Sequence, residues 1–382
     1  MAKLKALSFE IGPYRPPSEA FSLLIRVVRN CPWNRCSFCN LYKLDKFEYR
    51  SVEEIKQDID NARLIRDEIM AMAGDGADEN RLHQAIARIF REPPNEAYRS
   101  VALWLYAGGT TAFLQDSNAL IMRTSELVEV IKYLKESFPS LNRITSYARS
   151  DTADRKTLAE LTKLHQAGLS RLHIGLETGY DPLLKYIDKG ASAARHISAG
   201  QKVVAAGISL CEYVILGLGG KDMLRQHAIE TVRVLNEISP DFVRLRTLTL
   251  VEGMPLYQAA QDGTFTRATD EEILEEERQL LENLNCPTNF VSDHITNLLG
   301  EIEGKLPGDK KKMLAVIDRY FALSQEERTN YRVGRRAGIY TSLDDLSQTA
   351  KHQAVAQIVS RLSDPSGNVD ENLLYSMMTR FI

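Results

Sequence analysis

Leu23-Leu24-Ile25-Arg26-Val27-Val28-Arg29-Asn30-Cys31-Pro32-Trp33-Asn34-Arg35-Cys36-Ser37-Phe38-Cys39 starts as a short β-branched run and passes directly into a loop carrying three of the chain's five cysteines. The apolar run reads as a buried strand. The three cysteines sit among Pro, Asn, Arg and Ser with no apolar period, which argues against a role as small core hydrophobes. Their spacing is C-x4-C-x2-C; the next cysteine is the remote Cys211 and the nearest following histidine is His83. Structural zinc wants four ligands, usually as two local pairs, and no second pair follows. The same spacing opens plant-type [2Fe–2S] loops, but those take a fourth cysteine from nearby. What remains is a cubane held by three thiolates with one iron left open to a ligand.

The 382 residues are 44% hydrophobic and 26% charged, ordinary for a globular enzyme able to build its core without disulfides. A formal net charge of −3 supplies no global basic field, which argues against nucleic acid and anionic membrane as partners. Residues 1–10 lack a signal-peptide apolar core, and no run reaches the roughly 18–20 apolar residues of a membrane helix. The expectation is a cytoplasmic protein with reduced thiols.

Beyond the loop, Ser51 and Glu54 read as a capping box, followed by Ile55, Ile59, Ala62, Ile65 and Ile69 at helical spacing. Gly74-Asp75-Gly76-Ala77-Asp78 breaks that pattern, and a helical insertion is expected over about 75–100. A helix near 95–107 should end at Gly108-Gly109. A rhythm then sets in, with strands over 110–114, 143–147, 171–176, 210–216 and 242–246, alternating with helices over 124–138, 155–167, 192–206 and 221–238. Six strands at roughly 30-residue intervals imply parallel βα units that curl into an open, partial barrel. In barrels the functional groups sit on loops after strand C-termini, which is where the cysteine loop falls. The division expected is a lead-in over 1–20, an α/β partial (βα)6 barrel over 21–255, and a mainly helical C-terminal extension over 256–382. That extension should hold helices over 271–284, 310–323 and 344–362.

The cysteine loop resembles that of radical SAM enzymes, whose signature is C-x3-C-x2-C with an aromatic residue before the last cysteine. Phe38 holds the aromatic position, and one extra residue separates Cys31 from Cys36. The resemblance extends over residues 20–255 and implies a [4Fe–4S] cluster on Cys31, Cys36 and Cys39 that binds S-adenosylmethionine (SAM). It implies reductive cleavage of SAM to a 5′-deoxyadenosyl radical that abstracts hydrogen from a substrate. By position in the family's pattern, Gln115 and Asp116 stand where a Gly-Gly-Glu-like segment meets the methionyl amino group. Gly108-Gly109 precedes that strand and is not a match. Ser146 and Arg149 correspond to the ribose and carboxylate contacts, although Arg149 also suits a surface ion pair. His173-Ile174-Gly175-Leu176-Glu177-Thr178-Gly179 looks like a segment of the methylthiotransferase, elongator and oxygen-independent coproporphyrinogen oxidase branches. That assigns Glu177 to SAM or substrate, with a structural ion pair as the alternative. Gly217, in Gly217-Leu218-Gly219-Gly220, is similar to the family's fifth-strand turn beside the adenine.

Arg244 and Arg246 alternate on the sixth strand and suit either an anionic substrate or barrel carboxylates. In Ser292-Asp293-His294-Ile295-Thr296-Asn297, expected between helices, His294 is a candidate proton donor and Ser292 or Asp293 a candidate helix cap. Arg332-Val333-Gly334-Arg335-Arg336 is a basic cluster for an anion, for the electron donor, or for solvent. Cys211 and Cys286 are isolated, so no second cluster is indicated. The reading is an enzyme acting on a small-molecule substrate, served by a flavodoxin- or ferredoxin-type electron donor. A tetrapyrrole substrate, an RNA substrate, or a non-catalytic Fe–S protein are the alternatives.

Overall fold

The β-branched run forms strand β1 (Leu23–Arg26), and seven strands follow it in one sheet whose order is that of the sequence. They are β2 (Thr111–Gln115), β3 (Arg143–Ala148), β4 (Leu169–Glu177), β5 (Ser209–Leu216), β6 (Phe242–Thr247), β7 (Thr288–Val291) and β8 (Glu303–Leu306). The computed structural model describes residues 7–74, 76, 78–91, 93, 95–364 and 368–379. Asp75, Ala77, Glu92 and Pro94 of the expected insertion over 75–100, and the first six residues, lie outside that set. The fold is mixed α/β with a mostly parallel sheet; β8 runs antiparallel to β7. By backbone contacts the chain divides into two compact units.

The first unit comprises residues 1–34, 42–174 and 202–210. In it β1 pairs with β2 in a register that sets Arg26 beside Gln115. Ser51 caps the helix Val52–Ala73, its side chain accepting from the Glu54 amide while Glu54 reaches back. That helix buries Ile55, Ile59, Ala62, Ile65 and Ile69, the apolar series read from the sequence. It packs against helices Glu96–Tyr106 and Thr124–Ser137, where Trp104 meets Phe138 edge to face at 5.3 Å. Gly108 and Gly109, at φ of 90° and 65°, close the helix Glu96–Tyr106 and turn the chain into β2.

The second unit comprises residues 35–41, 175–201 and 211–382. Helix Gly220–Ile238 packs on helix Asp270–Asn283. The expected basic cluster is spent internally, on helix Gln325–Arg336. Arg332 pairs with Asp270 at 3.0 Å and with Glu371, and Arg336 reaches Asp270 and the Thr296 carbonyl at 2.6 Å each. Arg335 bonds the carbonyls of Asn297 and His294.

The sheet has two more strands than the six read from sequence. β7 and β8 are four residues each and too short for a visible alternation; β7 gains its backbone bonds from β6. The segment Ser292–Asn297 therefore runs between two strands rather than between helices. Two further differences are small: the helix expected over 155–167 is split into Ser150–Arg155 and Leu158–Ala167, and that over 344–362 opens as a 3-10 turn.

Gly179 marks a close approach of two backbones. A Cβ there would lie 2.3 Å from the Glu230 carbonyl oxygen, an atom that cannot swing aside. Gly179→Ala is expected to cost about 1–3 kcal/mol, read from the urea midpoint. Gly308→Ala, whose Cβ meets only an ordinary 3.6 Å contact, should stay within about 0.5 kcal/mol of the parent.

Candidate active site

The entrance to the cysteine loop is fixed from β2. Asp116 is buried, and its Oδ2 accepts from Arg26 at 2.8 and 2.5 Å and from the Asn30 amide at 3.0 Å. Ser117 donates to the Asn30 carbonyl at 2.9 Å. Asn30 thus has both backbone polar groups bonded by residues following β2, and it precedes Cys31. The chain turns sharply here, with Asn30 and Asn34 at φ of 66° and 49°, a region Asn tolerates better than most residues. The Asn34 amide donates to the Cys31 sulfur at 3.4 Å. The Asn34 side chain donates to the Tyr42 carbonyl, and Lys43 returns a bond to the Asn34 carbonyl at 2.9 Å. Arg149 lies 5.2 Å from the centre of the Trp33 ring and pairs with Asp151 at 3.2 Å.

The later half of the loop belongs to the second unit. Ser37 is gripped by backbone on both sides: its amide donates to the Ile187 carbonyl, and its carbonyl accepts from the Leu256 amide, each at 2.9 Å. Phe38 packs against an apolar cluster built from Leu183, Ile187, Leu218, Leu248 and Leu256. The Lys189 ammonium stands 5.9 Å from the centre of the Phe38 ring and 2.6 Å from Glu177 Oε1. Glu177 ends β4 in the left-handed region, at φ of 62°, and its carboxylate folds back over Gly175. A Cβ on Gly175 would sit 2.0 Å from that oxygen. Both partners of the ion pair are close to nine-tenths buried.

Near this pair is Glu212, fully buried on β5, with neither carboxyl oxygen bonded among the described residues. Burial pushes its pKa well above the usual carboxylate range, the Glu177 charge adds to this, and Lys189 opposes it. Two more buried acids lie on helix Asp270–Asn283. Glu276 is raised well above its ordinary value by burial, and Glu277 is pushed up to about 8 for the same reason.

The remaining sequence candidates are placed as follows. Gln115 is fully buried and spans to the N-terminal segment: its oxygen accepts from the Gly12 amide, and its nitrogen donates to the carbonyls of Gly12 and Tyr14, all at 2.9 Å. The Ser146 hydroxyl is buried and donates to the Leu114 carbonyl at 3.0 Å. Gly217 has φ of 74° and donates its amide to Glu276 at 2.6 Å. His294 Nδ1 lies 2.7 Å from the Thr296 hydroxyl; burial and then Arg246 lower its pKa to about 4, so its imidazole is neutral at pH 7. Arg244 bonds Asp293 at 3.0 Å, and Arg246 approaches the same carboxylate at 3.7 Å. Burial raises the Cys286 thiol to about 11, which suits packing rather than chemistry. Lys189, Glu212 and Glu276 were not singled out by sequence reasoning. Of these, only Lys189 has a local cue, its place between Asp188 and Gly190, both at positive φ.

Among the described residues, no three of His, Cys, Asp and Glu converge on one metal-ion position. A cubane makes a different demand, because each thiolate binds its own iron. The donor set fits it: three cysteines in one loop, none in a disulfide, with an amide aimed at the Cys31 sulfur. Soft thiolates select iron–sulfur clusters over hard cations. A family model for the Radical SAM superfamily matches residues 25–234, and the chain belongs to that superfamily as an enzyme of the radical SAM class. Its members use a [4Fe–4S] cluster and SAM. The chain is 24% identical over 128 residues to the tRNA uridine(34) acetyltransferases of Methanocaldococcus jannaschii and Methanocaldococcus infernus, covering 33% of this chain and 23% of each relative. It therefore matches about a quarter of the length of these curated relatives. Among solved structures, methylornithine synthase (PylB) has a TM-score of 0.42 at 17% identity, covering 78% of this chain and 81% of that one. The Methanocaldococcus infernus Elp3 has a TM-score of 0.40 at 16% identity, covering 51% of each.

Removing one member of a buried ion pair strands the other. Lys189→Met is expected to cost about 3–5 kcal/mol by urea unfolding, and adding Glu177→Gln should recover most of it. Glu277 gives a pH test. Its carboxyl, ordinarily near 4.5, keeps its proton in the folded state up to about 8. The folded chain therefore binds more protons than the unfolded one across that window, and this group's contribution falls as pH rises through it. Glu277→Gln should match the parent near pH 4.5 and exceed it progressively toward pH 8 in urea midpoint.

Proposed function

We propose that Cys31, Cys36 and Cys39 hold a [4Fe–4S] cluster, that Glu177 and the Gly217 turn serve SAM, and that the substrate is a small molecule. The observation that carries this reading is the contact series from Phe38, inside the cysteine loop, through Lys189 to Glu177 at the end of β4. It links the residue between two cluster cysteines to the carboxylate that the family resemblance assigns to the cofactor. Bound there, the cluster and SAM supply reductive cleavage to a carbon radical able to take hydrogen from an unactivated position.

The chain's own residues have separable tasks. Ser37 fixes the backbone between Cys36 and Cys39. Phe38 and the apolar cluster beneath it keep water from that side of the loop. Lys189 holds the buried Glu177 carboxyl in place through a 2.6 Å contact. Asp116 serves as a loop-positioning residue through Asn30, a role its bonds support better than contact with SAM. His294, neutral at pH 7, can accept a proton or donate from its ring N–H. Arg244 and Arg246 share the Asp293 carboxylate, which supports the ion-pair reading of these two residues over an anionic substrate. The net charge of −3 supports a small molecule over RNA. An RNA substrate is the second reading, favoured by the names of the curated relatives. A flavodoxin- or ferredoxin-type protein is the proposed reductant.

Anaerobic reconstitution with iron and sulfide, reduction, and addition of SAM test the proposal. The intact chain should release 5′-deoxyadenosine, and Cys36→Ala should release only what protein-free controls do. A cluster that forms while SAM stays whole under several reductants would count against the proposal. RNA binding that weakens steeply with salt would favour the second reading.

A further inference from the structure

We infer that Glu276 is a positioning residue for the SAM site: from helix Asp270–Asn283 it holds the Gly217 backbone in the conformation on which the turn after β5 is built. This rests on the proposed role of the Gly217 turn. The helix lies beyond residues 25–234, the region shared with the family.

β5 ends at Leu216, and helix Gly220–Ile238 begins three residues after Gly217. The Gly217 amide therefore falls between a strand ladder and a helix. Its donor is met by Glu276 Oε2 at 2.6 Å. Its carbonyl accepts from the Gly220 amide at 3.0 Å, closing the turn. The same helix touches the turn a second time, one helical turn earlier. A Cβ on Gly217 would stand 3.1 Å from Ile273 Cδ1, and the residue's φ of 74° already disfavours a side chain. Glycine, Ile273 and Glu276 thus fix one backbone geometry together.

A fully buried carboxyl is expensive to desolvate, and simple packing of a helix on a turn would be served better by an apolar residue. Glu276 also bonds a backbone amide at the C-terminal end of a barrel strand, the edge where such folds place their chemistry. Its second oxygen faces His227 Nε2 at 3.5 Å, and His227 is itself fully buried, with neither ring nitrogen hydrogen-bonded among the described residues. Burial raises the acid well above the usual carboxylate range and lowers the imidazole to about 3. The carboxyl thus accepts from Gly217 through one oxygen, while the other stands 3.5 Å from His227 without a hydrogen bond among the described residues. Glutamine keeps the oxygen acceptor that Gly217 uses. The neighbouring Glu277 is as deeply buried but makes no bond to the turn, and it provides the control.

The test uses the full chain, reconstituted anaerobically, with SAM affinity from equilibrium dialysis and amide exchange at the peptide containing Gly217. Cluster content is matched by visible absorption. Glu276→Met, which keeps volume and removes the acceptor, should weaken SAM binding by about 10-fold or more and speed exchange at Gly217. Glu276→Gln and Glu277→Gln should stay within about threefold of the parent in both readouts. If Glu276→Met does not fold, Glu276→Asp, which draws the carboxyl back from the amide, replaces it with the same expectation. Unchanged SAM affinity or unchanged Gly217 exchange in the Met or Asp variant overturns the inference, as does a Gln variant that behaves like Met. If the parent binds no SAM, the functional reading fails, and exchange at Gly217 alone decides whether Glu276 positions the turn.

Discussion

Ser37 is held by two backbone hydrogen bonds, one given to Ile187 and one taken from Leu256, and the working half of the cysteine loop depends on that grip. Between Cys36 and Cys39 the loop is a turn closed by the Cys39 amide on the Cys36 carbonyl at 3.3 Å. Main-chain bonds set its path without regard to side chains, so its residues are free to be chosen for ligation and for contact with Lys189. An irregular segment gains in this way the precision that a strand or helix would provide. The grip also seats Phe38 on an apolar floor whose residues come from helix Asp181–Tyr186, the turn after β5 and the chain beyond β6.

Buried charge is handled in two ways. Asp116 and Glu177 each meet a cation, Arg26 in one case and Lys189 in the other. Glu212, Glu276 and Glu277 are fully enclosed, and burial raises the pKa of each, with Lys189 opposing the rise at Glu212. The difference follows from position. Lys189 stands at a turn, from which a long side chain reaches the Glu177 carboxylate, whereas Glu212, Glu276 and Glu277 have no Lys or Arg bonded to them among the described residues. Where no counter-ion can reach, taking up a proton costs less than keeping the charge.

The βα rhythm was legible because each strand up to β6 is a compact apolar or β-branched run separated from the next by an amphipathic helix. The Ser51–Glu54 cap and the Gly108-Gly109 stop were legible because they rest on contacts within a few residues. β7 and β8 were not, since Glu303-Gly304-Lys305 has no apolar face and becomes a strand only through its neighbour. The cysteine loop could be read from spacing alone. The partners of its surroundings could not: Asp116 meets Arg26 through the register of two strands, and Lys189 meets Glu177 across a turn and a helix. Gln115 and Ser146 matched a family pattern by position, while the structure engages both in backbone bonds.

Gly175 has no side chain where the Glu177 carboxylate folds back onto the strand, and Lys189 Nζ would lie 3.0 Å from a Cβ there. The empty volume beside one residue thus houses the charge of another. These three positions form a unit of inheritance: a side chain gained at 175 would evict the carboxylate, and loss of either charge would release the glycine. Among descendants of this chain, the three should be kept or replaced together, and their co-variation would record the ion pair after the rest of the sequence has drifted.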